Sequence, residues 1–318
     1  MSSLKNPVRA PRLSDGFVVL EQLDSRFLEP VLLSVNDPVV ARLTATKEKF
    51  SRERIEGWLG TRTGAANRLD WAILVDGEYV GEIVLNDHDE AKNECNLRIA
   101  LAGEQHFSKG YGSAALALVI DYALDVLKLA KVKLSVLEDN LRAINAYEKV
   151  GFLPGRSYSE GKLRFKRMSI DKFDRVKALA EYLMATHLDV QLWQFGWDNA
   201  RRRAGLCNYT DKRITISTYL AQVHTIDETI QVVLHEIAHA LCGKDIGHGK
   251  KWLETAISIG YRNERFTGKE IAEEFAPWVG TCPSGHEHYR YRKPSGISSC
   301  SICSPEFSRQ FLISWQSR

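Results

Sequence analysis

The segment Asn140-Leu-Arg-Ala-Ile-Asn-Ala-Tyr-Glu-Lys-Val-Gly-Phe152 contains a predicted helix, Leu141 to Val150, that follows a predicted strand at Val132 to Leu137. Upstream, Phe107-Ser-Lys-Gly-Tyr-Gly-Ser113 connects another strand to a long apolar helix, Gly112 to Leu129. The two glycines of this turn let the backbone approach a pyrophosphate, and the helix N-terminus offers free N–H groups. G-x-G turns also serve as plain connections between a strand and a helix. The turn therefore indicates a binding site only together with the segment at 140 to 152.

The rest of the first half alternates short strands with helices. Asp76-Gly77 is a hairpin signal between two runs rich in β-branched and aromatic residues, Trp71 to Asp76 and Tyr79 to Leu85. Ser51 is a suitable N-cap for a helix over Ser51 to Thr61. The other predicted strands are Phe17 to Leu23, Asn96 to Leu101 and Leu163 to Ile170, and the other predicted helices are Phe27 to Val35 and Phe173 to His187. This order predicts an α/β (α+β) unit that ends near residue 172.

Taken together, residues 107 to 113 and 140 to 152 resemble the GNAT acetyltransferases. The resemblance covers about residues 12 to 171 and implies a mixed sheet flanked by helices, with acetyl-CoA as the cofactor. It implies that Asn140 contacts the pantetheine arm and that Tyr147 protonates the departing thiolate. Asn36-Asp37 and Arg98-Ile-Ala-Leu101 are similar to the subgroup that acetylates ribosomal-protein N-termini. The cofactor-binding residues so implied are Leu101, Phe107, Ser108, Lys109, Gly110, Tyr111, Gly112, Ser113 and Asn140.

Three residues of this half leave alternatives open. Phe107 stands where Arg or Gln is common in the family, which keeps the amide cradle but removes one cationic contact. The general base has two candidates, because Glu82 and Glu94 both lie on or beside central strands and either could deprotonate an amine directly or through water. We predict Glu94. Tyr147 could instead serve only to pack its helix against the sheet.

In the second half, His235-Glu-Ile-Ala-His239 lies within a predicted amphipathic helix, Thr229 to Leu241. Two imidazoles four residues apart project from one helical face, as chelation of a metal requires, and Glu236 can reach a metal-bound water as general base. His248 follows a glycine-bearing turn and is the predicted third ligand. Three neutral imidazoles leave one position open for water, which is the arrangement of a catalytic zinc site.

These residues resemble the SprT-like (Spartan-type) zinc metallopeptidases over about residues 176 to 305. Residues 195 to 205 and 213 to 217 are similar to the family's two strands and basic stretch ahead of the active-site helix. The spacing between His239 and His248 is shorter than in many members. The resemblance implies a zincin-type peptidase that acts on protein substrates, with His235, His239 and His248 as zinc ligands and Glu236 as the catalytic base.

Downstream, Cys282-Pro-Ser-Gly-His286 and Cys300-Ser-Ile-Cys303 are two ligand pairs separated by a loop. SprT-like proteins often carry a zinc ribbon at this place. We therefore predict a second, structural zinc held by Cys282, His286, Cys300 and Cys303. His288 is the alternative to His286, and a ribbon that has lost its metal is the alternative to a zinc site.

The same loop contains Tyr289-Arg-Tyr-Arg-Lys293, in which aromatic side chains alternate with cations. Such a patch can stack on exposed bases while its cations pair with phosphates, so contact with nucleic acid is one interpretation of it. The alternative is an ordinary solvated hairpin tip.

Composition limits the class of protein. The 318 residues carry a net charge of +3, so no strong general field attracts nucleic acid or acidic lipid. No apolar run is long enough to span a bilayer, and Met1 to Arg12 lacks the apolar core of a signal peptide, so we expect a cytoplasmic protein without a membrane partner. Six cysteines are too sparse for a disulfide framework.

These observations predict a bifunctional fusion. Residues 12 to 171 form the N-acetyltransferase domain, residues 176 to 278 the peptidase core, and residues 279 to 312 the zinc-ribbon-like segment. Two alternatives remain: a catalytically silent, metal-stabilised binding module in the second half, or a peptidase whose first half only senses acetyl-CoA. The intact set of His235, Glu236, His239 and His248 argues against the first alternative.

Overall fold

In the computed structural model, the chain divides into two compact units, Met1–Leu179 and Ala180–Arg318. The structure describes residues 9–262 and 276–318. The predicted domain at 176 to 278 includes residues 263–275, and the predicted absence of a signal peptide rests partly on residues 1–8; both stretches lie outside the described residues. The boundary between the two units falls within helix α6 (Lys172–His187).

The first unit is built on a mixed sheet flanked by helices, as predicted. Within its described residues the sheet has eight strands in the order β1-β2-β3-β4-β5-β6-β8-β7, and neighbouring strands are antiparallel except β5 and β6. The strands are β1 (Leu13–Ser14), β2 (Val19–Gln22), β3 (Leu69–Val75), β4 (Glu78–Asp89), β5 (Glu94–Leu101), β6 (Lys131–Leu137), β7 (Leu153–Glu160) and β8 (Leu163–Ile170). The helices are α1 (Leu28–Asn36), α2 (Pro38–Leu43), α3 (Arg52–Gly60), α4 (Tyr111–Asp121) and α5 (Leu141–Val150).

Both faces of this sheet are covered. Successive side chains of a strand point to opposite faces, so neighbouring residues of β3 show what packs on each side. On one face, Ala72 and Leu74 of β3 join a buried apolar cluster with residues of α1 and α3. On the other face, the fully buried Trp71 packs edge-on against Tyr122, with ring centroids 6.1 Å apart. The sheet is therefore the middle of three layers.

A cleft opens where β5 and β6 diverge. Their parallel pairing covers only Glu94–Asn96, opposite Lys131–Lys133, although β5 continues to Leu101 and β6 to Leu137. Beyond this short pairing the two strands leave room between them. The turn at residues 107–110, which precedes α4, and the start of α5 both lie beside this opening.

The predicted hairpin is confirmed, the predicted long helix ends early, and one strand was missed. The Asp76-Gly77 hairpin joins β3 to β4, with φ of +50° and +81° at its two residues. The long helix predicted to Leu129 instead ends as α4 at Asp121 and continues as a π-helical turn, Tyr122–Val126. Strand β7 was not predicted.

The second unit contains a three-stranded sheet in the order β10-β11-β9 and the helix that carries the His-Glu motif. Thr225 and Glu228 form a capping box that fixes the start of this helix, α8. The strands are β9 (Gln194–Asp198), β10 (Gly205–Asn208) and β11 (Arg213–Ser217), and the helices are α7 (Thr218–Val223), α8 (Ile226–Cys242) and α9 (Lys250–Ser258). Leu234 and Ala238 of α8 pack with Trp252, Ala256 and Tyr261 in one buried cluster.

A second small sheet ends the chain, in the order β13-β12-β14. Its strands are β12 (Trp278–Thr281), β13 (Glu287–Arg290) and β14 (Ser314–Ser317). This sheet and its Cys/His cluster confirm the predicted zinc-ribbon-like fold of the C-terminus. Among the residues that the structure describes, no helix is both long enough and apolar enough to cross a membrane.

Candidate functional sites

A cavity of about 1020 Å³ occupies the cleft between β5 and β6. It brings together, in one lining, residues of the turn before α4, the start of α5 and strands β4 and β5. The predicted cofactor-binding residues that line it are Leu101, Phe107, Ser108, Gly110, Tyr111, Gly112, Ser113 and Asn140. Lys109 is exposed and is not part of the lining.

The turn before α4 depends on one of its two glycines. Gly110 is the N-cap of α4 and has φ of +87°, a left-handed conformation that L side chains rarely adopt. At Gly112 a Cβ atom would make only ordinary contacts, 3.7 Å from Cδ1 of Leu101. The backbone N–H groups at the start of α4, together with the positive end of the helix dipole, suit an anion at this position.

A cation lies at the turn despite the aromatic residue there. The guanidinium carbon of Arg142, on the first turn of α5, is 3.5 Å from the ring centroid of Phe107. Both residues line the cavity. Arg142 therefore provides the positive charge that we expected the turn to lack, and sequence reasoning missed it because the residues are far apart in the chain.

The two candidates for the general base lie in different surroundings. Glu94 forms an ion pair with Lys133 at the end of β5 distant from Leu101 and does not line the cavity. Glu82 of β4 does line it, and its Oε2 is buried without a hydrogen-bond partner among the described residues. Burial raises the pKa of Glu82 to about 7, and the charge of Arg98 opposes this shift. A carboxyl group with a pKa near 7 can accept a proton at physiological pH.

Tyr147 lies in the same lining as Glu82. Its side chain is buried, and its ring packs edge-on against Phe152 with centroids 5.7 Å apart. Burial raises the pKa of Tyr147 above its ordinary value, so the hydroxyl stays protonated at pH 7. The residue thus packs α5 and also lines the cavity. Asn140 caps α5, with its Oδ1 accepting a hydrogen bond from the N–H of Ala143 at 3.2 Å.

In the second unit the three predicted histidines converge. The Nε2 atoms of His235, His239 and His248 are 3.2, 3.0 and 3.0 Å apart in pairs. Three nitrogens bound to one tetrahedral zinc at about 2.0 Å would be about 3.3 Å apart, so this triangle fits the ion. Burial and the neighbouring imidazoles lower the pKa of His235 to about 3 and that of His239 to about 4. Neutral imidazoles are the form that binds zinc.

Glu236 is held beside this triangle by close packing. Its side chain is buried against β10, where a backbone hydrogen bond at Cys207 reaches it. Burial raises the pKa of Glu236 to about 7. A Cβ atom built on Gly205 would lie 2.8 Å from both Cγ and Oε1 of Glu236, so only glycine leaves room for this carboxyl group. Strand β10 and this close approach were not predicted.

Two aromatic residues support the histidines and were also missed. The Trp252 ring lies against all three imidazoles, with centroids 4.6, 5.3 and 4.8 Å from those of His235, His239 and His248. The Tyr209 hydroxyl donates a hydrogen bond to the carbonyl oxygen of His239 at 3.0 Å. The position of Trp252, four residues after His248 and in the first turn of the helix that follows it, is the signal that could have identified it.

The predicted ribbon ligands also come together. Nδ1 of His286 is 3.6 Å from Sγ of Cys282, 3.6 Å from that of Cys300 and 3.2 Å from that of Cys303. The sulfurs of Cys282 and Cys303 are 3.8 Å apart, close to the separation of two thiolates on a zinc with bonds of about 2.3 Å. Burial alone would raise the pKa of Cys282, but hydrogen bonds from the backbone and from the neighbouring thiols together lower the pKa to about 6. The structure brings His286, and not His288, into this cluster.

The aromatic rings of the segment at 289 to 293 have contacts within the chain. Tyr291 lies against Arg201, 4.7 Å from its guanidinium carbon, and Tyr289 lies 5.6 Å from that of Arg318. Arg292 and Lys293 are exposed. Arg292 and Lys293 are therefore accessible, whereas base stacking on the two tyrosine rings would require Arg201 and Arg318 to move.

Two family comparisons agree with this division of the chain. Residues 18–153 match the acetyltransferase (GNAT) domain family, and residues 175–271 match the SprT-like family. The chain is 34% identical over 82 residues to the spermidine N(1)-acetyltransferase of Escherichia coli K12, which is 26% of this chain and 44% of that relative. The chain thus spans less than half the length of the curated relative it matches.

Solved structures of acetyltransferases are similar to about half of the chain. The spermidine N-acetyltransferase of Vibrio cholerae in complex with CoA and spermine is 19% identical, with 49% of this chain and 96% of that chain covered and a TM-score of 0.45. A GNAT-family acetyltransferase from Bacillus anthracis is 17% identical, with 50% and 98% covered and a TM-score of 0.45. A ribosomal-protein-serine acetyltransferase candidate from V. cholerae is 16% identical, with 51% and 97% covered and a TM-score of 0.44.

Proposed function

We propose, for a chain that joins a GNAT acetyltransferase domain to an SprT-like domain, that the first half transfers an acetyl group from acetyl-CoA to a primary amine. One observation carries this proposal: the turn at Gly110, the carboxyl group of Glu82 and the hydroxyl-bearing ring of Tyr147 line the same cavity. An anion site, a proton acceptor and a proton donor are the groups that acetyl transfer to an amine requires.

The residues divide the reaction between them. Acetyl-CoA supplies the activated acetyl group, with its pyrophosphate at the N-terminus of α4 and beside Arg142. Glu82 takes one proton from the amine, whose nitrogen forms the new bond to the acetyl carbon while the bond from that carbon to sulfur breaks. Tyr147 gives one proton to the leaving sulfur and regains one from solvent, and Glu82 releases its proton to solvent, so that protons balance over the cycle.

Thiol release from acetyl-CoA in the presence of an amine tests this proposal. We expect the wild-type chain to release thiol and Tyr147→Phe to bind acetyl-CoA normally with lower turnover, because only the proton donor is lost. Unchanged turnover in Tyr147→Phe would assign the tyrosine to packing alone.

For the second half we propose a zinc-dependent peptidase that acts on protein substrates. The converging Nε2 atoms of His235, His239 and His248 support it, since three neutral imidazoles leave zinc an open position. Bound zinc supplies a Lewis acid and brings the pKa of water to about 7. Glu236, packed on Gly205 beside the first ligand, is the group that accepts the proton. The second cluster is proposed to hold a structural zinc.

Nucleic acid is a further proposed partner, through the cations Arg292 and Lys293. Their exposure supports phosphate contact. Binding of single-stranded DNA, followed by fluorescence anisotropy, should weaken as salt rises and should fall in the double variant Arg292→Ala, Lys293→Ala. DNA affinity that is equal in this variant and in wild type would remove the patch from the proposal.

The compartment that we propose is the cytoplasm. All six cysteines are free, which fits a reducing environment in which thiolates remain available for zinc.

A further inference from the structure

More basic than acidic residues line the cavity of the first unit. Glu82 is the only carboxylate among the described lining residues, whereas five cations line the same space: Arg54, Arg68, Arg98, Arg142 and Lys149. Two of these belong to α5, Arg142 in its first turn, where the pyrophosphate is proposed to bind, and Lys149 in its last turn. The other three lie on α3 (Arg54), on β5 (Arg98) and immediately before β3 (Arg68).

Two of these three arginines already have acidic partners. Arg68 makes a two-point ion pair with Asp70, with its Nε 2.7 Å from Oδ2. Arg54 lies 2.8 Å from a carboxylate oxygen of Glu48. Among the residues that the structure describes, Arg98 has no acidic partner within 4.0 Å and no side-chain hydrogen bond. Its side chain is exposed toward solvent.

The strand register places Arg98 next to the proposed base. Arg98 pairs with Val84, and Glu82 pairs with Ala100, in the antiparallel ladder of β4 and β5. Since side chains two residues apart share a face, Arg98 and Glu82 project from the same face and are diagonal neighbours. The charge of Arg98 acts on the Glu82 carboxyl group, which agrees with this closeness.

We propose that the amine acceptor has an acidic side chain, whose carboxylate Arg98 binds while Glu82 takes the proton from the amino group. This inference rests on the proposed acetyl transfer and names its substrate class: an amino acid with an acidic side chain, or a peptide N-terminus with Asp or Glu at its second residue. A guanidinium binds a carboxylate through two parallel hydrogen bonds, which fixes orientation as well as affinity. A polyamine would instead bring several positive charges into a space lined by three arginines, and like charges oppose binding.

Acetyl transfer to matched amines tests the proposal. The acceptors are free glutamate and glutamine, two peptides that differ only in Glu or Gln at the second residue, and spermidine. Comparison of the amino acids with the peptides distinguishes the two sources of the carboxylate. In one of the two pairs, we expect kcat/KM to be about tenfold higher for the acidic member than for its neutral counterpart, which corresponds to about 1.4 kcal/mol. The kcat/KM for that acidic acceptor should also exceed the kcat/KM for spermidine. The preference should decrease as salt rises.

Variants of Arg98 separate recognition from catalysis. Arg98→Gln should bring the Glu-to-Gln ratio close to one, Arg98→Lys should retain part of it, and Arg98→Glu should favour a peptide with Lys at the second residue. Arg12→Gln is the control, because Arg12 is an exposed arginine that pairs with Glu21 outside the cavity. Faster acetylation of spermidine than of every acidic amine, or an unchanged ratio in Arg98→Gln, would overturn the inference and leave acetyl transfer intact. Transfer to none of the amines would contradict the proposed function itself, and this inference with it.

Discussion

The guanidinium carbon of Arg142 lies 3.5 Å from the ring centroid of Phe107, although the two residues are separated by a helix and a strand. A cation stacked on a ring is worth about 0.5–2 kcal/mol, and here it also holds positive charge beside the free N–H groups of α4. The aromatic residue at this turn therefore positions a cation that comes from another helix.

This pair leads to the first prediction. Arg142→Ala should weaken acetyl-CoA binding about tenfold, because one phosphate contact is lost while the amide cradle remains. In the Arg142→Ala background, Phe107→Arg should recover part of the affinity by returning a cation to the turn. Isothermal titration calorimetry measures both. An affinity unaffected by Arg142→Ala would mean that the backbone alone holds the cofactor.

Gly110 carries the second prediction. With φ of +87°, this position is strained for any L side chain, so Gly110→Val should move the turn and reduce acetyl-CoA affinity by more than tenfold. Gly57→Ala is the matched control, since nothing lies within 4 Å of a Cβ built there and alanine favours the helix. If calorimetry gives the same affinity for Gly110→Val and Gly57→Ala, the turn is not the pyrophosphate site.

The third prediction concerns the pH dependence of acetyl transfer. Burial raises the pKa of Glu82 to about 7, so the carboxylate form is scarce below pH 7 and increases above it. The kcat/KM of the wild type should therefore rise with pH through about 7, because only the carboxylate accepts a proton. Glu82→Gln should lose about 100-fold in kcat together with this limb of the profile.

Glu94→Gln serves as the control for this measurement. Glu94 pairs with Lys133 outside the cavity, so its variant should keep the pH profile of the wild type. If the pH dependence is lost in Glu94→Gln and kept in Glu82→Gln, Glu94 is the general base, as the sequence analysis predicted.

The fourth prediction is that the chain binds two zinc ions of unequal exchange rate. A site with three protein ligands is open to a chelator, whereas the cluster of Cys282, His286, Cys300 and Cys303 is closed, and its cysteines 282 and 300 are buried. Metal analysis by mass spectrometry should find one zinc fewer in Cys300→Ser than in Cys242→Ser, whose cysteine lies outside both clusters. One zinc in the wild type that survives Cys300→Ser would exclude the ribbon as a metal site.

The sequence predicted best those groups of residues that lie close together in the chain. Spacing along one helix was sufficient for His235 and His239, and the pairs at Cys282 and Cys300 were found in the same way, since the ligands are near neighbours in the chain. Strand β7 was missed because Leu153-Pro-Gly-Arg-Ser-Tyr-Ser-Glu160 is almost entirely exposed and lacks alternation of apolar and polar residues. It forms at the edge of the sheet because β8 provides a partner.

Long-range contacts determine the features of these sites that the sequence alone could not. Glu82 and Glu94 both lie on central strands, and only the divergence of β5 and β6 decides which one faces a cavity. Sequence periodicity gives the face of a strand but not the length over which two strands stay paired. The same applies to Arg142 on Phe107 and to Gly205 against Glu236, where residues distant in the chain meet.

The last prediction uses this contact between Gly205 and Glu236. Glu236→Gln should retain zinc but lose proteolysis, because the amide keeps the size of the side chain and cannot accept a proton. Gly205→Ala should have nearly the same effect without changing the motif, since its Cβ would lie 2.8 Å from Cγ of Glu236 and must displace the carboxyl group. Gly296→Ala, in open space, is the control. His239→Ala should lose zinc and activity together, because two imidazoles hold the metal poorly.

Cleavage of denatured casein and of the chain itself, measured with the zinc content of each variant, checks these expectations. The pairing of the two readouts decides the interpretation: zinc retained with proteolysis lost in both Glu236→Gln and Gly205→Ala locates the defect in the proton acceptor rather than in the metal. Full activity in Glu236→Gln would leave the second half as a metal-stabilised binding module joined to an acetyltransferase. Full activity in Gly205→Ala alone would show that Glu236 works from a position other than the one packed against β10.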